Sequence, residues 1–243
     1  MKYMGSKARH AKEILKVIAP YRKEGQAWAE PFVGGANMID KVEAPLRIGG
    51  DFNEYVIQAL QYIQTSAESI PCDSTEYTES DYLKAKTLKN ISGLDCLMLF
   101  ACSFGAKFKG GWARGRPTED FVRAARNNAL SQAPLIRDVM FFNTSYDELP
   151  FPDGSLIYCD PPYEGTTKYR DAFDHGKFWQ WCRDKSDGGH TVFVSEYNAP
   201  ADFACVWEKT TCVGVDAGAR KATEKLFVYI PQLLRDGIKE QRT

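Results

Sequence analysis

The sequence contains no long apolar segment and no secretion signal. None of its hydrophobic runs approaches the roughly 18 residues that a membrane-spanning helix needs, and the start Met-Lys-Tyr-Met-Gly lacks the pattern of a signal peptide. We therefore expect a protein that has no membrane partner and that works in the cytoplasm, in a bacterium or a phage-infected cell.

The sequence also has few residues that could build a metal site. Its seven cysteines include no Cys-x-x-Cys pair, and its three histidines lie far apart. Structural zinc sites and disulfide frameworks depend on closely spaced ligands or on many paired cysteines. We accordingly expect no metal cofactor and no disulfide framework.

Two common nucleotide-binding signatures are missing as well. There is no Gly-x-Gly-x-x-Gly run of the dinucleotide-binding kind and no Gly-Lys-Ser/Thr sequence of the P-loop kind. Their absence argues against a protein that binds NAD or ATP. What is present is a chain of 243 residues, 44% of them hydrophobic, which suffices for one large α/β domain with or without an insert.

The segment Ser155–Tyr163 joins an apolar run to a rigid polar turn. Its first half, Ser-Leu-Ile-Tyr-Cys, shows no polar alternation, which predicts a strand buried on both faces of a parallel sheet. Asp160 then lies at the carboxyl end of that strand, where ligands bind in open α/β sheets. Pro161 and Pro162 fix the backbone and have no N–H, so the turn presents mainly hydrogen-bond acceptors.

A rigid cluster of acceptors beside an aromatic ring suits the binding of an exocyclic amino group on a flat base. Tyr163 would stack on the base, while Asp160 and the Pro161 carbonyl would accept the two amino hydrogens and leave the nitrogen lone pair free to attack. Taken alone, the four residues fit an ordinary turn after a core strand about as well, with Asp160 only capping the loop.

An earlier part of the chain has the pattern of a nucleotide-binding unit. Residues 26–30 predict a strand, Gly34 and Gly35 predict a turn that lets a ligand approach the backbone, and a helix is predicted to follow through Ile39. The next predicted strand ends at Asp51, about twenty residues after the first, where such folds place the acid that binds ribose hydroxyls.

Three motifs, in this order, resemble those of the DNA adenine-N6 methyltransferases of the Dam type. They are Lys2-Tyr-Met-Gly-Ser-Lys7, Glu30-Pro-Phe-Val-Gly-Gly35 and Asp160-Pro-Pro-Tyr163. Weaker matches at Phe173-Asp-His175 and at residues 220–229 extend the resemblance close to the carboxyl end. The resemblance implies a doubly wound, mostly parallel α/β sheet of the Rossmann-like methyltransferase type. It also implies S-adenosylmethionine as cofactor, S-adenosylhomocysteine as product and double-stranded DNA as partner.

The same resemblance assigns roles to individual residues. It implies donor contacts from Tyr3, Lys7, Glu30, Pro31, Phe32, Gly34, Gly35, Asp51 and Asp160. The catalytic residues that it implies are Asp160, Pro161, Pro162 and Tyr163. Considered by themselves, Lys7 would be an ordinary solvated lysine, and Glu196 would be a surface acid, although Ser195-Glu-Tyr-Asn198 resembles a motif near the target pocket.

Positive charge is concentrated in the middle of the chain. The net charge is −1, yet the region from Lys84 to Arg137 has ten lysines and arginines against three acids. Within it, Ser103–Pro117 interleaves glycines, aromatics and bases, which suits phosphate contacts and stacking on bases. A mobile surface loop or a solvated helix face is the alternative. Residues 164–170 are a candidate lid, and Tyr169 within it is predicted to bind DNA. The other predicted DNA-binding residues are Lys107, Lys109, Trp112, Arg114, Arg116, Arg123 and Arg126.

These patterns predict a catalytic domain of residues 1–57 and 136–243 and a mainly helical DNA-recognition insert of residues 58–135. Helices are predicted at residues 8–18, 54–63, 81–104 and 119–130 and from Asp174 onward. Further strands are predicted at residues 139–142, 191–195 and 225–230.

The sequence thus predicts a site-specific DNA methyltransferase that flips adenine out of the duplex and methylates its N6 amino group. One alternative is methylation of another planar amine, such as cytosine N4, RNA adenine or a protein amide, although cytosine-N4 enzymes commonly carry Ser, and glutamine-modifying enzymes Asn, at the position of Asp160. Another is a non-catalytic DNA-binding module with a vestigial donor site. The recognition sequence, a paired restriction enzyme and the oligomeric state stay open, and a monomer is compatible with the sequence.

Overall fold

The computed structural model describes residues 1–116, 118–164, 173–213 and 220–235. The strands are β1 Trp28–Glu30, β2 Arg47–Asp51, β3 Val139–Asn143, β4 Leu156–Cys159, β5 Thr191–Glu196, β6 Phe203–Val213 and β7 Arg220–Tyr229. The helices are α1 Ala11–Ile18, α2 Glu54–Ser66, α3 Glu79–Thr87, α4 Gly93–Ala101, α5 Phe121–Ile136, α6 His175–Asp187 and α7 Ile230–Arg235.

The strands form a seven-stranded sheet in the order β3-β2-β1-β4-β5-β7-β6. β4 pairs in parallel with β1 and β5, and β2 pairs in parallel with β3, whereas β7 runs antiparallel to both β5 and β6. This confirms the predicted α/β class with a mostly parallel sheet.

The chain divides into two compact units, and the first consists of Met1–Ala11, Val33–Glu43 and Arg47–Leu149. It holds β2, β3 and the helices α2 to α5, and its core contains fully buried Tyr82 and Phe100. The second unit consists of Lys12–Phe32, Ala44–Leu46 and Pro150–Thr243 and holds the remaining strands and helices. The insert boundaries at residues 58 and 135 stay a prediction.

The core of the second unit is apolar around β4. All four residues of β4 are buried, as the unbroken apolar run predicted, and β4 is an interior strand that pairs with β1 and β5. Trp28 and Tyr158 stack with their ring centroids 6.2 Å apart, and Phe178 of α6 and Phe193 of β5 are fully buried. Asp174 caps α6 by accepting the N–H of Lys177 at 2.9 Å, so this helix begins where the sequence predicts.

Two helix predictions are wrong in part. The turn after Gly35 leads into no α-helix, because Ala36 has a left-handed φ of 56° and only a single 3-10 turn follows at Ile39–Lys41. The helix predicted over residues 81–104 is two helices, since the backbone is extended at Leu88 and Ser92 starts α4 by accepting the N–H of Asp95 at 3.1 Å.

Strand β6 is not predicted from the sequence. This strand pairs along its length with β7, but its register shifts between Cys205 and Trp207, which breaks the alternation that marks a strand. Within the described residues, no helix combines the length and the apolar character that crossing a membrane requires.

Candidate active site

The carboxyl ends of three neighbouring strands of the second unit meet at one edge of the sheet. β1 and β4 are paired in parallel with Ala29 opposite Ile157, and β4 and β5 with Cys159 opposite Val194. The sheet order reverses between β1 and β4, which is the point where open α/β sheets bind ligands. Three segments therefore emerge side by side: Glu30–Phe32, Asp160–Tyr163 and Glu196–Tyr197.

The turn after β4 packs on the segment that follows β5. Asp160 and Tyr163 are half-buried, and the Tyr163 ring meets the Tyr197 ring edge to face with centroids 4.5 Å apart. Burial first, and the charge of Asp160 second, raise the pKa of the Tyr163 hydroxyl well above its usual range. The structure therefore brings Asp160 and Tyr163 together with a neutral hydroxyl on the ring.

A hydrogen bond ties β4 to β5 just below this turn. The Tyr158 hydroxyl and the Ser195 hydroxyl lie 2.8 Å apart, and both side chains are buried. Burial, followed by the charge of Asp160, raises the pKa of Tyr158 well above its usual range, so its hydroxyl keeps its proton. This hydrogen bond fixes the carboxyl ends of β4 and β5, next to which the Asp160–Tyr163 turn projects.

Glu196, which by itself would be interpreted as a surface acid, is buried in the structure. It is only 2% exposed, so the interpretation as a surface acid is wrong. One carboxylate oxygen accepts the N–H of Glu164 at 2.7 Å, and the other accepts the N–H of Tyr197. Burial raises the pKa of Glu196, and these two N–H groups oppose the rise.

Glu30 and Phe32, predicted to bind the donor, are held by contacts inside the second unit. Glu30 is 2% exposed, and its carboxylate accepts the Trp28 indole N–H at 2.8 Å. Phe32 packs edge to face against Phe173 and Phe178, at centroid distances of 5.8 and 5.6 Å. Pro31 between them is buried, so the segment is a fixed part of the sheet edge.

In the first unit, Asp51 is the last residue of β2, and its carboxylate can accept more hydrogen bonds than its backbone donors supply. Its two oxygens accept the N–H of Gly34 at 3.1 Å and the N–H of Asn53 at 2.9 Å. Burial raises its pKa from 3.8 to about 6, against the effect of those two donors. Since each carboxylate oxygen has two lone pairs, Asp51 can accept two further hydrogen bonds, which fits a ribose with its two hydroxyls.

Asn53 caps the helix that follows β2. Its side-chain oxygen accepts the N–H of Tyr55 at 3.1 Å and so caps α2. Because Asn53 caps α2, the Asp51 carboxylate is not needed for capping and accepts its own two backbone N–H groups.

The glycine turn of the first unit is covered by the amino-terminal motif. A Cβ at Gly34 would lie 2.9 Å from the Tyr3 ring, and Gly34 has a φ of 47°. A Cβ at Gly35 would lie 2.5 Å from Nδ2 of Asn37 and 2.9 Å from Cβ of Tyr3. The structure thus brings Tyr3, Gly34 and Gly35 together, and the close approach of Tyr3 is by itself a reason for glycine there.

Lys7 is not a solvated lysine. Its side chain is 6% exposed, and its ammonium donates to the Gly5 carbonyl at 3.3 Å. Ser6 caps the turn beside it by accepting the N–H of Ala8 at 3.2 Å, and its hydroxyl also accepts from the Asn37 amide at 2.8 Å. The alternative of an ordinary surface lysine is therefore wrong, while its predicted contact with the donor stays a prediction.

The glycine-rich basic segment forms a compact loop in the first unit. Ser103 and Trp112 form an antiparallel bridge, and the N–H of Phe104 donates to the Gly111 carbonyl at 2.8 Å. Of its aromatics, Phe108 stacks on Tyr55 at 4.5 Å, whereas Phe104 is 76% exposed.

The predicted DNA-binding residues differ in what they already contact. Lys107 and Arg116 are exposed, and the Lys109 ammonium lies 5.7 Å from the Phe108 ring centroid. Trp112 packs edge to face on Tyr82 at 5.3 Å. Three arginines already have partners within the unit. Arg114 forms an ion pair with Glu79 at 2.8 Å, and Arg123 forms one with Asp73 at 3.0 Å. Arg126 donates to the Glu68 carbonyl at 2.8 Å. The ion pairs of Arg114 and Arg123 lie at the surface and are weak, so they do not exclude phosphate contacts, whereas Arg126 is mostly buried against backbone carbonyls.

Residues 165–170 of the candidate lid, including Tyr169, lie outside the described residues. In the part of the chain that is described, no group of three or more His, Cys, Asp or Glu side chains is arranged to hold a metal ion.

Comparison with known proteins adds an independent line of evidence. Residues 3–96, which include Tyr3, Lys7, the Glu30–Gly35 motif and Asp51, match the profile of the D12 class N6 adenine-specific DNA methyltransferases. The chain is also 25% identical over 196 residues to the modification methylase StsI of Streptococcus sanguinis. That match covers 71% of this chain but only 30% of StsI, so the chain spans less than a third of its relative.

One solved structure shares a low overall likeness. It is SMU.472, a putative methyltransferase complexed with SAH, with 9% sequence identity, a TM-score of 0.33, and coverage of 92% of this chain and 52% of the other. A TM-score at this level supports no inference about fold or function.

Proposed function

We propose that this protein transfers the methyl group of S-adenosylmethionine to the N6 amino group of a flipped-out adenine in double-stranded DNA. The observation that carries the proposal is the Asp160-Pro-Pro-Tyr163 turn at the carboxyl end of β4, beside the strand-order reversal. The match of residues 3–96 to the adenine-specific methyltransferases and the similarity to a modification methylase support the same reaction.

In this proposal the turn prepares the amine for attack. The Asp160 carboxylate and the Pro161 carbonyl accept one amino hydrogen each, and the Tyr163 ring stacks on the base, so the lone pair of N6 points away from the ring plane. Positive charge develops on N6 as the new N–C bond forms, and the negative charge of Asp160 stabilises it. The nitrogen then loses one proton, for which Asp160 is the adjacent acceptor.

The donor-side residues would hold S-adenosylmethionine, which supplies an electrophilic methyl group on a sulfonium sulfur. Asp51 fits two ribose hydroxyls, because two of its four acceptor positions are free of backbone donors. Lys7 suits the amino acid carboxylate of the donor, and Tyr3 with the Gly34–Gly35 turn supplies apolar surface and backbone groups.

The basic loop of the first unit is the proposed DNA-contacting surface. Lys107, Lys109 and Arg116 would meet phosphates, and Arg114 and Arg123 would contribute if DNA replaces their ion-pair partners. Arg126 would contribute less, because backbone carbonyls hold its guanidinium. Their expected signature is a binding constant that falls steeply with salt.

The deciding experiment incubates the protein with unmethylated duplex DNA and S-adenosylmethionine and measures N6-methyladenine and N4-methylcytosine in the digest by mass spectrometry. Wild type should form N6-methyladenine, and Asp160→Ala should form none while donor affinity falls at most moderately. Full activity of Asp160→Ala would refute the mechanism. N4-methylcytosine, product on RNA only, or binding without turnover would each select one of the alternatives.

A further inference from the structure

We infer that Glu196 is a positioning residue for the target amine, an inference that rests on the proposed function. Glu196 fixes the Asp160–Tyr163 turn through backbone contacts and does not itself touch the base. Three observations within the second unit carry this: the position of the carboxylate, the two N–H groups that it accepts, and the ring contact that one of them controls.

The turn has few ways to be anchored. Pro161 and Pro162 have no N–H, so hydrogen bonds from these two residues cannot hold the turn against the sheet. The N–H of Glu164, directly after Tyr163, donates to the Glu196 carboxylate at 2.7 Å. This bond connects the end of the turn to the last residue of β5, a strand paired on both sides.

The second oxygen of Glu196 fixes the neighbour of the Tyr163 ring. It accepts the N–H of Tyr197, whose ring meets the Tyr163 ring with centroids 4.5 Å apart and planes at 79°. A single carboxylate thus holds both the backbone that follows Tyr163 and the ring against which Tyr163 packs. The stacking surface for the base depends on both.

The chemistry of these contacts requires an acid. A buried carboxylate is costly unless hydrogen bonds compensate it, and here two N–H donors do so. Glutamine would offer one acceptor oxygen and one NH2 group, so one backbone N–H would face another donor. Loss of either contact frees the turn or the Tyr197 ring.

The test compares three variants in the full chain with wild type. Glu196→Gln removes one acceptor, Glu196→Asp keeps two acceptors on a shorter side chain, and Asp202→Asn is the matched control. Asp202 forms a bidentate pair with Arg183, at 2.6 and 2.9 Å, elsewhere in the same unit. Each protein is assayed for the single-turnover rate of adenine methylation, for S-adenosylhomocysteine affinity by calorimetry, and for amide exchange of peptides that contain Glu164 and Tyr197.

We expect Glu196→Gln to slow methyl transfer by roughly 10- to 100-fold, because the variant loses a hydrogen bond to a charged group. Its S-adenosylhomocysteine affinity should be unchanged, and amide exchange at Glu164 or Tyr197 should be faster. Glu196→Asp should recover part of the rate. Asp202→Asn should lose stability without losing rate, which separates positioning from general destabilisation.

The outcomes separate this inference from the proposed function. Wild-type protein that methylates no adenine overturns the proposed function and the role of Glu196 with it. Active wild type together with a Glu196→Gln rate equal to that of Asp202→Asn overturns the inference alone. Should Glu196→Gln not fold, Tyr197→Leu decides: it keeps both N–H donors but removes the ring, and a wild-type transfer rate in that variant overturns the inference.

Discussion

Replacing Asp51 by asparagine is expected to remove a pH-dependent loss of stability while weakening the binding of the methyl donor. Burial favours the neutral carboxyl and raises its pKa from 3.8 to about 6. Because the folded pKa lies above the unfolded one, the stability that comes from this group is complete below about pH 3.8 and is lost as the pH rises through about 6. Asparagine has no such charge, so its contribution does not change with pH.

The size of the effect follows from the pKa change. A rise from 3.8 to about 6 corresponds to about 3 kcal/mol of unfolding free energy once the carboxyl is ionised. This is an upper limit, because Asp51 keeps part of its surface in solvent. Donor binding should change in the opposite direction, since asparagine has one acceptor oxygen for Gly34, Asn53 and the ribose together. The loss of one charge-assisted hydrogen bond lowers affinity by about tenfold or more.

The assay is urea unfolding of wild type and Asp51→Asn at pH 4, 6 and 8 without donor. At pH 4 the variant should be the less stable, because its single acceptor oxygen leaves one backbone N–H unpaired, and relative to wild type it should gain progressively to pH 8. Asp202→Asn is the control, because Arg183 lowers the pKa of Asp202, so the deficit of that variant should stay nearly constant from pH 8 to pH 4 and shrink only below about pH 3.8. A stability difference for Asp51→Asn that is the same at all three pH values would refute the reasoning.

Two further predictions concern the loop and the glycine turn. The double variant Lys109→Ala/Arg116→Ala should weaken duplex binding and lower the slope of log affinity against log salt by about 1 per residue, as measured by fluorescence anisotropy. Arg123→Ala should lower the slope less, because Asp73 already holds that guanidinium. An unchanged slope in the double variant would reject the loop as the DNA surface. Gly35→Ala should cost about 1–3 kcal/mol in thermal or urea unfolding, since its Cβ would lie 2.5 Å from the Asn37 amide, whereas Gly111→Ala has open space and should be neutral.

The parts of the fold that the sequence predicts are those set by local pattern. The unbroken apolar run of β4 follows from burial on both faces, and the start of α6 at Asp174 and of α2 at Asn53 follows from capping chemistry. The missed strand β6 and the absent helix after Gly35 have the opposite origin. In one a bulge breaks the alternation, and in the other Ala36 adopts a backbone conformation that its residue type does not announce.

The candidate site divides in the same way. Asp160 and Asp51 were predictable because each ends an apolar strand, and the residue after such a strand lies at the binding edge of the sheet. Glu196 occupies an equivalent position at the end of β5, yet its burial depends on Glu164 and Tyr197, which no local pattern specifies. The internal partners of Arg114 and Arg123 are likewise contacts between distant residues, at positions 79 and 73.

Asp51 and Glu196 have similar chemistry and different access, and this difference assigns their roles. Each is the last residue of a strand, each accepts two backbone N–H groups, and burial raises the pKa of each. Acids whose charge is opposed by burial cluster at functional sites. Asp51 is partly exposed, so its remaining lone pairs can meet a ligand. Glu196 is 2% exposed, so it acts through the backbone that it holds and through its charge on the neighbouring Tyr163 hydroxyl. Exchange of the Glu164 amide should therefore respond to Glu196→Gln even without donor or DNA, whereas the effect of Asp51→Asn on ligands should appear only when donor is added.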